Sequence, residues 1–166
     1  MGDWTGTVPT FTAGAHLRGV DQQTLADIAT AQTAALTSYV PVWRSTGTQP
    51  ALVNGTITGA YRRTGKHVNG IIELTIGSST TFGTGTYYFD LPFTSARENV
   101  CIGRVHDSSV GSVYTSIGLI TAKSSLPGLA YIVPLTASTN AVWTSAAPMT
   151  WATADTAVIH FDFDTA

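Results

Sequence analysis

Beyond residue 40, apolar and polar residues alternate in short runs that end at glycine, proline or serine. In the run 66–77, Val68, Ile72 and Leu74 fall on one face, and a mostly polar set falls on the other. A period of two is typical of strands that bury one face. The pattern predicts about eight strands, at residues 40–45, 55–63, 66–77, 87–93, 99–105, 113–122, 130–135 and 157–163.

The order of these runs predicts a fold class. Turns rich in glycine, proline and serine separate the strands, and Pro92 and Pro134 fall where a strand ends or lies at an edge. Many short strands with such turns are typical of a sandwich. The sequence therefore predicts a mainly β protein, in which an N-terminal arm and one short helix precede a jelly-roll-like antiparallel β-sandwich over residues 40–166.

One amphipathic helix is predicted at residues 21–38, and we assign residues 21–39 to this unit. Asp21 is a good N-cap, and the following residues are rich in alanine. An apolar stripe with one polar position recurs at spacings of three and four, at Leu25, Ile28, Gln32, Ala35, Leu36 and Tyr39. A helix this short needs a packing partner. The stripe packs either on its own domain or in a short coiled coil between subunits, with Gln32 as a polar core position.

Residues 1–20 form a distinct N-terminal region. Proline and glycine punctuate it, and three apolar residues are spaced along it, at Trp4, Phe11 and Leu17. A free linker would not carry large aromatic residues at this spacing. We interpret residues 1–20 as an arm that attaches the protein to another surface.

Composition excludes several classes of function. Charged residues make up 11% of the chain, against about 25% in an ordinary soluble domain. The net charge is −2 with no long basic run, which argues against a nucleic-acid partner. No apolar run approaches the roughly 20 residues of a membrane span, and the N-terminus does not resemble a secretory signal. The single cysteine, Cys101, is interpreted as a small core residue.

Few residues in the sequence are candidates for catalysis or metal binding. His106, Asp107, Ser108 and Ser109 lie together in the sequence, but they lack a nucleophile-elbow pattern and a distant third member. A turn capped by hydroxyl groups explains them better. Two carboxylates near the C-terminus, Asp162 and Asp164, supply too few ligands for calcium by themselves. We therefore predict no catalytic residues, no metal and no cofactor.

Two further segments have structural interpretations. The glycine-rich run GSSTTFGTGT, at 77–86, has neither the spacing nor the lysine of a phosphate-binding loop, and it is predicted to be a flexible crossing between strands. Asn54-Gly55 matches a tight turn. Arg62, Arg63 and Lys66 bracket another turn and form a basic hairpin tip. This tip is either a solvated turn or a contact with an acidic partner.

The order of several motifs resembles a family of virion proteins from tailed phages of actinobacteria. The motifs are WRSTGTQPAL from Trp43, NGTITGAYRRTGK from Asn54, LTIGSSTTFGTG from Leu74, and PMTWATAD from Pro148. FTAG from Phe11 and YVPVW from Tyr39 are also similar to that family. The resemblance covers nearly the whole chain.

The resemblance implies a non-enzymatic protein on the virion surface, with an attachment arm, a short helix and a β-sandwich head, often as a homotrimer. It implies a capsid decoration or head-fibre protein, whose partners are the major capsid protein or tail proteins, without nucleic acid or membrane. The alternative is a tail-tip module that recognises host surface carbohydrate. Exposed aromatic residues would favour that alternative, and the candidates are Tyr87, Tyr88, Tyr114, Tyr131, Trp143 and Trp151. The shortage of paired carboxylates argues against a wall-degrading enzyme.

Overall fold

The computed structural model describes residues 35–121, 131–136 and 141–166. This part of the chain is mainly β and contains no helix. Its strands are β1 (Thr37–Tyr39), β2 (Trp43–Ser45), β3 (Thr56–Thr64), β4 (His67–Thr75), β5 (Tyr87–Asp90), β6 (Asn99–Asp107), β7 (Ser112–Thr121), β8 (Tyr131–Thr136) and β9 (Thr156–Asp164). The predicted β class is confirmed, and each predicted strand overlaps an observed one. Of the first predicted strand, 40–45, only Trp43–Ser45 is a strand, and residues 40–42 separate it from β1, which was not predicted as a strand.

All strands belong to one antiparallel sheet, in the order β1-β3-β4-β9-β6-β7-β8-β5-β2. The two edge strands, β1 and β2, are consecutive in the chain and are separated only by residues 40–42. Four Cα steps span at most about 15 Å, so the sheet must curl until its edges lie close together. The two separate sheets of a jelly roll are therefore not confirmed, because the strands form one continuous curled sheet.

The core lies on the concave side of the curl and is rich in aromatic rings. Trp43 packs edge-on to Tyr87 at a centroid distance of 5.0 Å, and Trp143 packs against Trp151 at 5.5 Å. Phe89 lies between the two tryptophans, at 6.5 Å from Trp43 and 6.4 Å from Trp143. Aromatic pairs in edge-to-face and stacked arrangements add stability beyond the area that they bury. The aromatic core explains how a chain with few charges and one buried, unpaired cysteine holds its fold.

The prediction of a helix is wrong for its last residues, 35–38. Residues 21–34 lie outside the described residues, but Ala35 and Leu36 are not helical, and Thr37–Tyr39 forms β1 against β3. Tyr39 explains the difference, since its ring packs edge-on to Tyr61 at 5.8 Å and to Phe161 at 6.4 Å. A β-carbon on Gly59 would collide with the Tyr39 ring, so this glycine makes room for the packing. Tertiary packing therefore overrides the helical pattern at these residues.

The glycine-rich crossing is held in place by a neighbouring loop. Ala51 and Thr81 exchange two backbone hydrogen bonds, at 2.9 and 2.8 Å, and the amide of Gly47 donates to the carbonyl of Thr84. Gly83 and Gly85 have positive φ angles of 61° and 89°, a conformation that glycine adopts at little cost. The expected flexible crossing is thus hydrogen-bonded along part of its length. After it, β5 enters the core as predicted, with Tyr87, Tyr88 and Phe89 buried.

Candidate interaction surface

A row of mostly apolar side chains crosses the convex side of the sheet. The strand registers place Ile71 beside His160, His160 beside Ile102, Ile102 beside Ile117, and Ile117 beside Leu135. The row therefore runs continuously over β4, β9, β6, β7 and β8. These residues alternate with buried neighbours on the same strands, which places their side chains on the solvent face.

A second apolar row lies beside the first. Val100 on β6 pairs with Leu119 on β7, and Leu119 pairs with Val133 on β8. Together, the two rows place six aliphatic side chains on β6, β7 and β8. We call this set the outer apolar face, which consists of Val100, Ile102, Ile117, Leu119, Val133 and Leu135.

Four residues of the outer apolar face are exposed to solvent in the part of the chain that the structure describes, and Val133 and Leu135 are half-buried. Val100 and Ile102 have 61% and 65% of their surface accessible, and Ile117 and Leu119 have 40% and 46%. The convex side of an antiparallel sheet is normally polar. Contiguous apolar patches on a protein surface mark sites of interaction with other molecules. This face is therefore the strongest candidate functional surface in the part of the chain that the structure describes.

The residues behind this face are small. Cys101 and Gly103 point inward from β6, and Gly118 points inward from β7, where a β-carbon would collide with the Cys101 sulfur. Burial raises the pKa of the Cys101 thiol to about 12, so the thiol stays protonated and unreactive at neutral pH. The interpretation of Cys101 as a core residue is confirmed. At these positions of β6 and β7, the inward residues are smaller than the outward residues Val100, Ile102, Ile117 and Leu119.

A hollow of about 510 Å³ borders the outer apolar face, over β4, β9 and β6. Its walls include Leu36, Ile71, Val100, Ile102, Asn69 and His160. Leu36 is 49% exposed and immediately precedes β1, on the opposite side of the sheet from Tyr39. Leu36 thus reaches the same surface as the exposed residues of β6, although it is more than sixty positions away in the sequence.

Charged groups lie at and beside the hollow, because Asp162 forms part of its wall. The two ring nitrogens of His67 lie 3.2 Å from a carboxylate oxygen of Asp162 and 3.4 Å from one of Asp164. Arg97 lies 3.6 Å from the second oxygen of Asp164. All four side chains are substantially exposed, so their ion pairs contribute little to stability. Among the described residues, no group of three or more histidine, cysteine or acidic side chains could hold a metal ion.

The predicted basic tip does not form one exposed patch. Arg63 is half-buried, its Nε donates to the carbonyl of Gly65 at 2.9 Å, and its guanidinium lies 4.9 Å from the centre of the Phe93 ring. The Nε atom of Arg62 is buried and has no hydrogen-bond partner. Only Lys66 of the three is fully exposed. Arg63 therefore serves packing at the β3–β4 hairpin instead of standing free for a partner.

Of the residues predicted for attachment and subunit contact, some lie outside the described residues, two are exposed, and one is packed within the sheet. The arm residues Trp4, Phe11 and Leu17, and the helix residues Leu25, Ile28 and Gln32, lie outside the described residues. Ala35 and Leu36 are exposed. Tyr39 packs within its own sheet, where burial and the negative charge of Asp90 raise the pKa of its hydroxyl. The structure therefore brings Leu36, but not Tyr39, to the exposed surface.

The sequence HDSS at 106–109 contains the last two residues of β6 and the first two of a capped turn. One carboxylate oxygen of Asp107 accepts hydrogen bonds from the Ser109 hydroxyl at 2.6 Å and from the Ser109 amide at 3.0 Å. These bonds, led by the one from the hydroxyl, lower the pKa of Asp107. The Ser108 hydroxyl and amide both donate to Asp155, at 3.0 and 2.8 Å. Both serines thus hold carboxylates in structural roles, as the sequence predicted for a hydroxyl-capped turn.

Most of the aromatic candidates for carbohydrate binding are in the core. Tyr87 and Trp143 are fully buried, Tyr88 and Trp151 are nearly so, and Tyr114 is half-buried. Burial raises the pKa of Tyr87 to about 12, and its hydroxyl donates to the carbonyl of Phe82 at 2.6 Å. The side chain of Tyr131 lies outside the described residues. The four buried rings are not available to stack on a sugar.

Comparison with known proteins identifies no relative. No protein-family model matches the chain. No curated protein matches its sequence, and no solved structure matches its fold. Within the described part of the chain, no helix has the length and apolar character needed to cross a membrane.

Proposed function

We propose that the protein is a non-enzymatic structural component of a phage virion surface. It acts as a trimeric capsid decoration or head-fibre protein, and residues 1–20 attach it to the major capsid protein. The observation that carries this proposal is the outer apolar face, where four aliphatic side chains are 40–65% exposed. A chain that leaves such a surface uncovered is suited to an assembly in which a neighbour covers it.

The roles of the polar residues support a structural function. His106, Asp107, Ser108 and Ser109 were the nearest approach to a hydrolytic constellation in the sequence. In the structure, Ser109 donates to Asp107 and Ser108 donates to Asp155, so both serines are engaged in holding a turn. The pair Asp162 and Asp164 contacts His67 on an open strand face. The serine and aspartate contacts at the turn hold the backbone, and the exposed pair contacts only a histidine, so these groups have structural partners, which fits a non-enzymatic protein.

The sequence supports the remaining parts of the proposal. The order of motifs resembles that of small virion proteins, and only 11% of the residues are charged. Trp4 and Phe11 supply large apolar anchors within residues 1–20, and aromatic anchors of this kind dominate the energetics of many interfaces. The stripe at Leu25, Ile28 and Gln32 supplies the contact between the three copies.

The test is to locate the protein on intact virions by electron microscopy with a gold-labelled antibody raised against residues 40–166. We expect label distributed over the head. Label confined to the tail tip would overturn the decoration proposal and would favour the alternative, a module that binds host surface carbohydrate. Absence of label from purified virions, with an antibody shown to bind the denatured virion proteins, would overturn a surface role altogether.

A further inference from the structure

We propose that Asn54 is a deamidation site that the fold keeps closed, by holding its side chain against the glycine-rich crossing at 77–86. Asparagine is among the residues that limit the chemical durability of proteins. It reacts most readily when glycine follows it, because glycine has no side chain to obstruct its own amide nitrogen. Asn54 and Asn69 are each followed by glycine. The inference concerns how long the folded protein lasts, and it does not depend on the proposed function.

Deamidation at Asn54 needs no reactant other than water. The amide nitrogen of Gly55 attacks the side-chain carbon Cγ of Asn54, so that a bond forms between them and the bond from Cγ to Nδ2 breaks. The proton of the Gly55 amide leaves with Nδ2 as ammonia, and a cyclic imide remains. Water then opens one of the two bonds from the imide nitrogen to carbonyl carbon, which leaves either aspartate or isoaspartate. The attack requires a free Gly55 N–H and an Asn54 side chain that can turn toward it.

The folded structure engages both reacting groups. The Gly55 amide donates to the carbonyl of Leu52 at 2.8 Å, which closes a turn between the two residues. The Asn54 side chain is held at both of its polar atoms, because Nδ2 donates to the Ser78 hydroxyl at 2.9 Å and Oδ1 accepts from the Ser79 amide at 2.9 Å. The reaction therefore requires this loop to open locally before the attack can occur.

The segment that holds Asn54 is itself fixed. The Thr80 hydroxyl donates to the carbonyl of Leu52 at 2.7 Å and accepts from the Gly77 amide at 3.0 Å. One side chain thus joins the segment before β3 to the start of the crossing. Val53, in the turn, has a φ of 55°, which a β-branched residue rarely adopts. The turn is therefore held by its contacts with the crossing rather than by the preferences of its own residues.

The packing requires a glycine after Asn54. A β-carbon on Gly55 would lie 2.7 Å from the carbonyl oxygen of Thr75 and 2.9 Å from the amide nitrogen of Gly77. A β-carbon on Gly77 would collide with Asn54 Oδ1 and with the Gly55 nitrogen. A larger residue therefore fits at neither position unless the backbone moves. Isoaspartate at position 54 would lengthen the backbone and displace Gly55 from this narrow space.

Asn69 provides a comparison within the same chain. Asn69 and Gly70 lie in the middle of β4, where Gly70 pairs with Tyr61 of β3 and with Phe161 of β9. Strands on both sides hold this backbone extended, so reaction at Asn69 requires disruption of the sheet itself. The two asparagines therefore report different events, which are the opening of one loop and the loss of the sheet.

The test is to measure deamidation at both asparagines by mass spectrometry, after incubation of the full-length protein at mildly alkaline pH. Trypsin places the two asparagines in separate peptides, 45–62 and 67–97. Ser78→Ala removes the hydroxyl that accepts from Asn54 Nδ2. Ser79→Ala is the matched control, because Ser79 holds Asn54 through its backbone amide, which the substitution keeps.

We expect the native wild type to react at Asn54 at least roughly 10-fold more slowly than the same chain unfolded in urea. Ser78→Ala should raise the native rate at Asn54 by roughly 5-fold, as the loss of one ordinary hydrogen bond predicts. The rate at Asn69 should not change, and Ser79→Ala should match the wild type. Equal rates in the native and unfolded wild type would overturn the inference, as would an unchanged or slower rate in Ser78→Ala. A rise at both asparagines would mean that the variant loosens the whole sheet, and the role assigned to Ser78 would be wrong.

Discussion

At the scale of single residues, Asp155 determines how the chain enters β9. Its side chain is fully buried. One carboxylate oxygen accepts from the amide and hydroxyl of Ser108, and the other accepts from the amide of Ala152 at 2.6 Å. Its carbonyl also accepts from the amide of Ile76. A single carboxylate therefore joins the β6–β7 turn to the loop before β9, and it does so with charge-assisted bonds.

Replacing Asp155 by asparagine should lower the free energy of unfolding by about 2 kcal/mol. Both carboxylate oxygens accept from backbone amides, so an asparagine must direct its own NH₂ group at a donor. Thermal unfolding should shift down by roughly 4–8 °C in a chain of this size. The same substitution at the exposed Asp162, on β9, should change the free energy by less than about 0.5 kcal/mol. Equal effects at the two positions would contradict the role assigned to Asp155.

Asp107 should make the stability of the fold depend on pH in the acid range. Its folded pKa lies below the ordinary value because of the bonds from Ser109, so its contribution is complete above the unfolded pKa of about 3.9. The contribution is lost as the pH falls through the folded pKa. Urea unfolding at about pH 5 and about pH 2.5 should show a smaller acid loss for Ser109→Ala than for the wild type. A larger loss in the variant would contradict this sign.

At the scale of elements, β1 depends on one side chain. This strand has three residues and a partner on one side only, so its backbone hydrogen bonds alone would hold it weakly. The Tyr39 ring inserts between Tyr61 and Phe161 and rests over Gly59. The hydroxyl of Tyr39 is buried and has no hydrogen-bond partner. The ring therefore holds the strand in place, and the hydroxyl adds nothing to this.

Two substitutions at Tyr39 separate the contribution of its ring to stability from that of its hydroxyl. Tyr39→Ala should lower the free energy of unfolding by about 3 kcal/mol, because it empties the space between two rings. Tyr39→Phe should leave it unchanged or raise it slightly, since the buried hydroxyl has no partner to lose. Urea unfolding measures both changes. If Tyr39→Ala weakened subunit association without affecting unfolding, Tyr39 would be a subunit contact, as the helical pattern first suggested.

At the scale of the whole molecule, the curled sheet has a concave side that holds the core and a convex side that faces solvent. The concave side encloses the aromatic core, with Trp43 and Trp143 at its centre. The convex side carries the outer apolar face, and the chain reaches that side at Leu36. The proposed arm at 1–20 precedes this point in the sequence. We propose that attachment and folding belong to separate parts of the chain.

Deleting residues 1–20 should leave the head folded but unable to attach. We expect the far-ultraviolet circular dichroism spectrum and the thermal midpoint to match those of the full chain within about 2 °C, since the truncated chain retains every residue of the described core. Addition to virions that lack the protein should fall to background. As a control, the double variant Trp4→Ala and Phe11→Ala should show the same loss without a change in length. Full attachment by the truncated chain would exclude the arm.

Much of the fold could be predicted from the alternation of apolar and polar residues, because a strand that buries one face has an apolar residue at every second position. The run 66–77 is the clearest case, and β4 spans His67–Thr75 within it. The outer apolar face was missed because β6 is apolar on both sides. In VCIG the inward residues are small and the outward ones are Val100 and Ile102, so the run looks like an ordinary buried strand. The apolar residues on both faces of β6 were the sequence signal that could have predicted the outer apolar face.

The sequence by itself determined the β class of the fold, most of the strand positions and the turn after His106 and Asp107, because each depends on neighbouring residues. Only the tertiary structure decided what depends on distant residues. It closed the sheet into one curl, placed Tyr39 in a strand, and gave Asp155 its partners. It also aligned Ile71, Ile102, Ile117 and Leu135 into one row. The register between strands is set by packing across the whole sheet, and no local pattern records it.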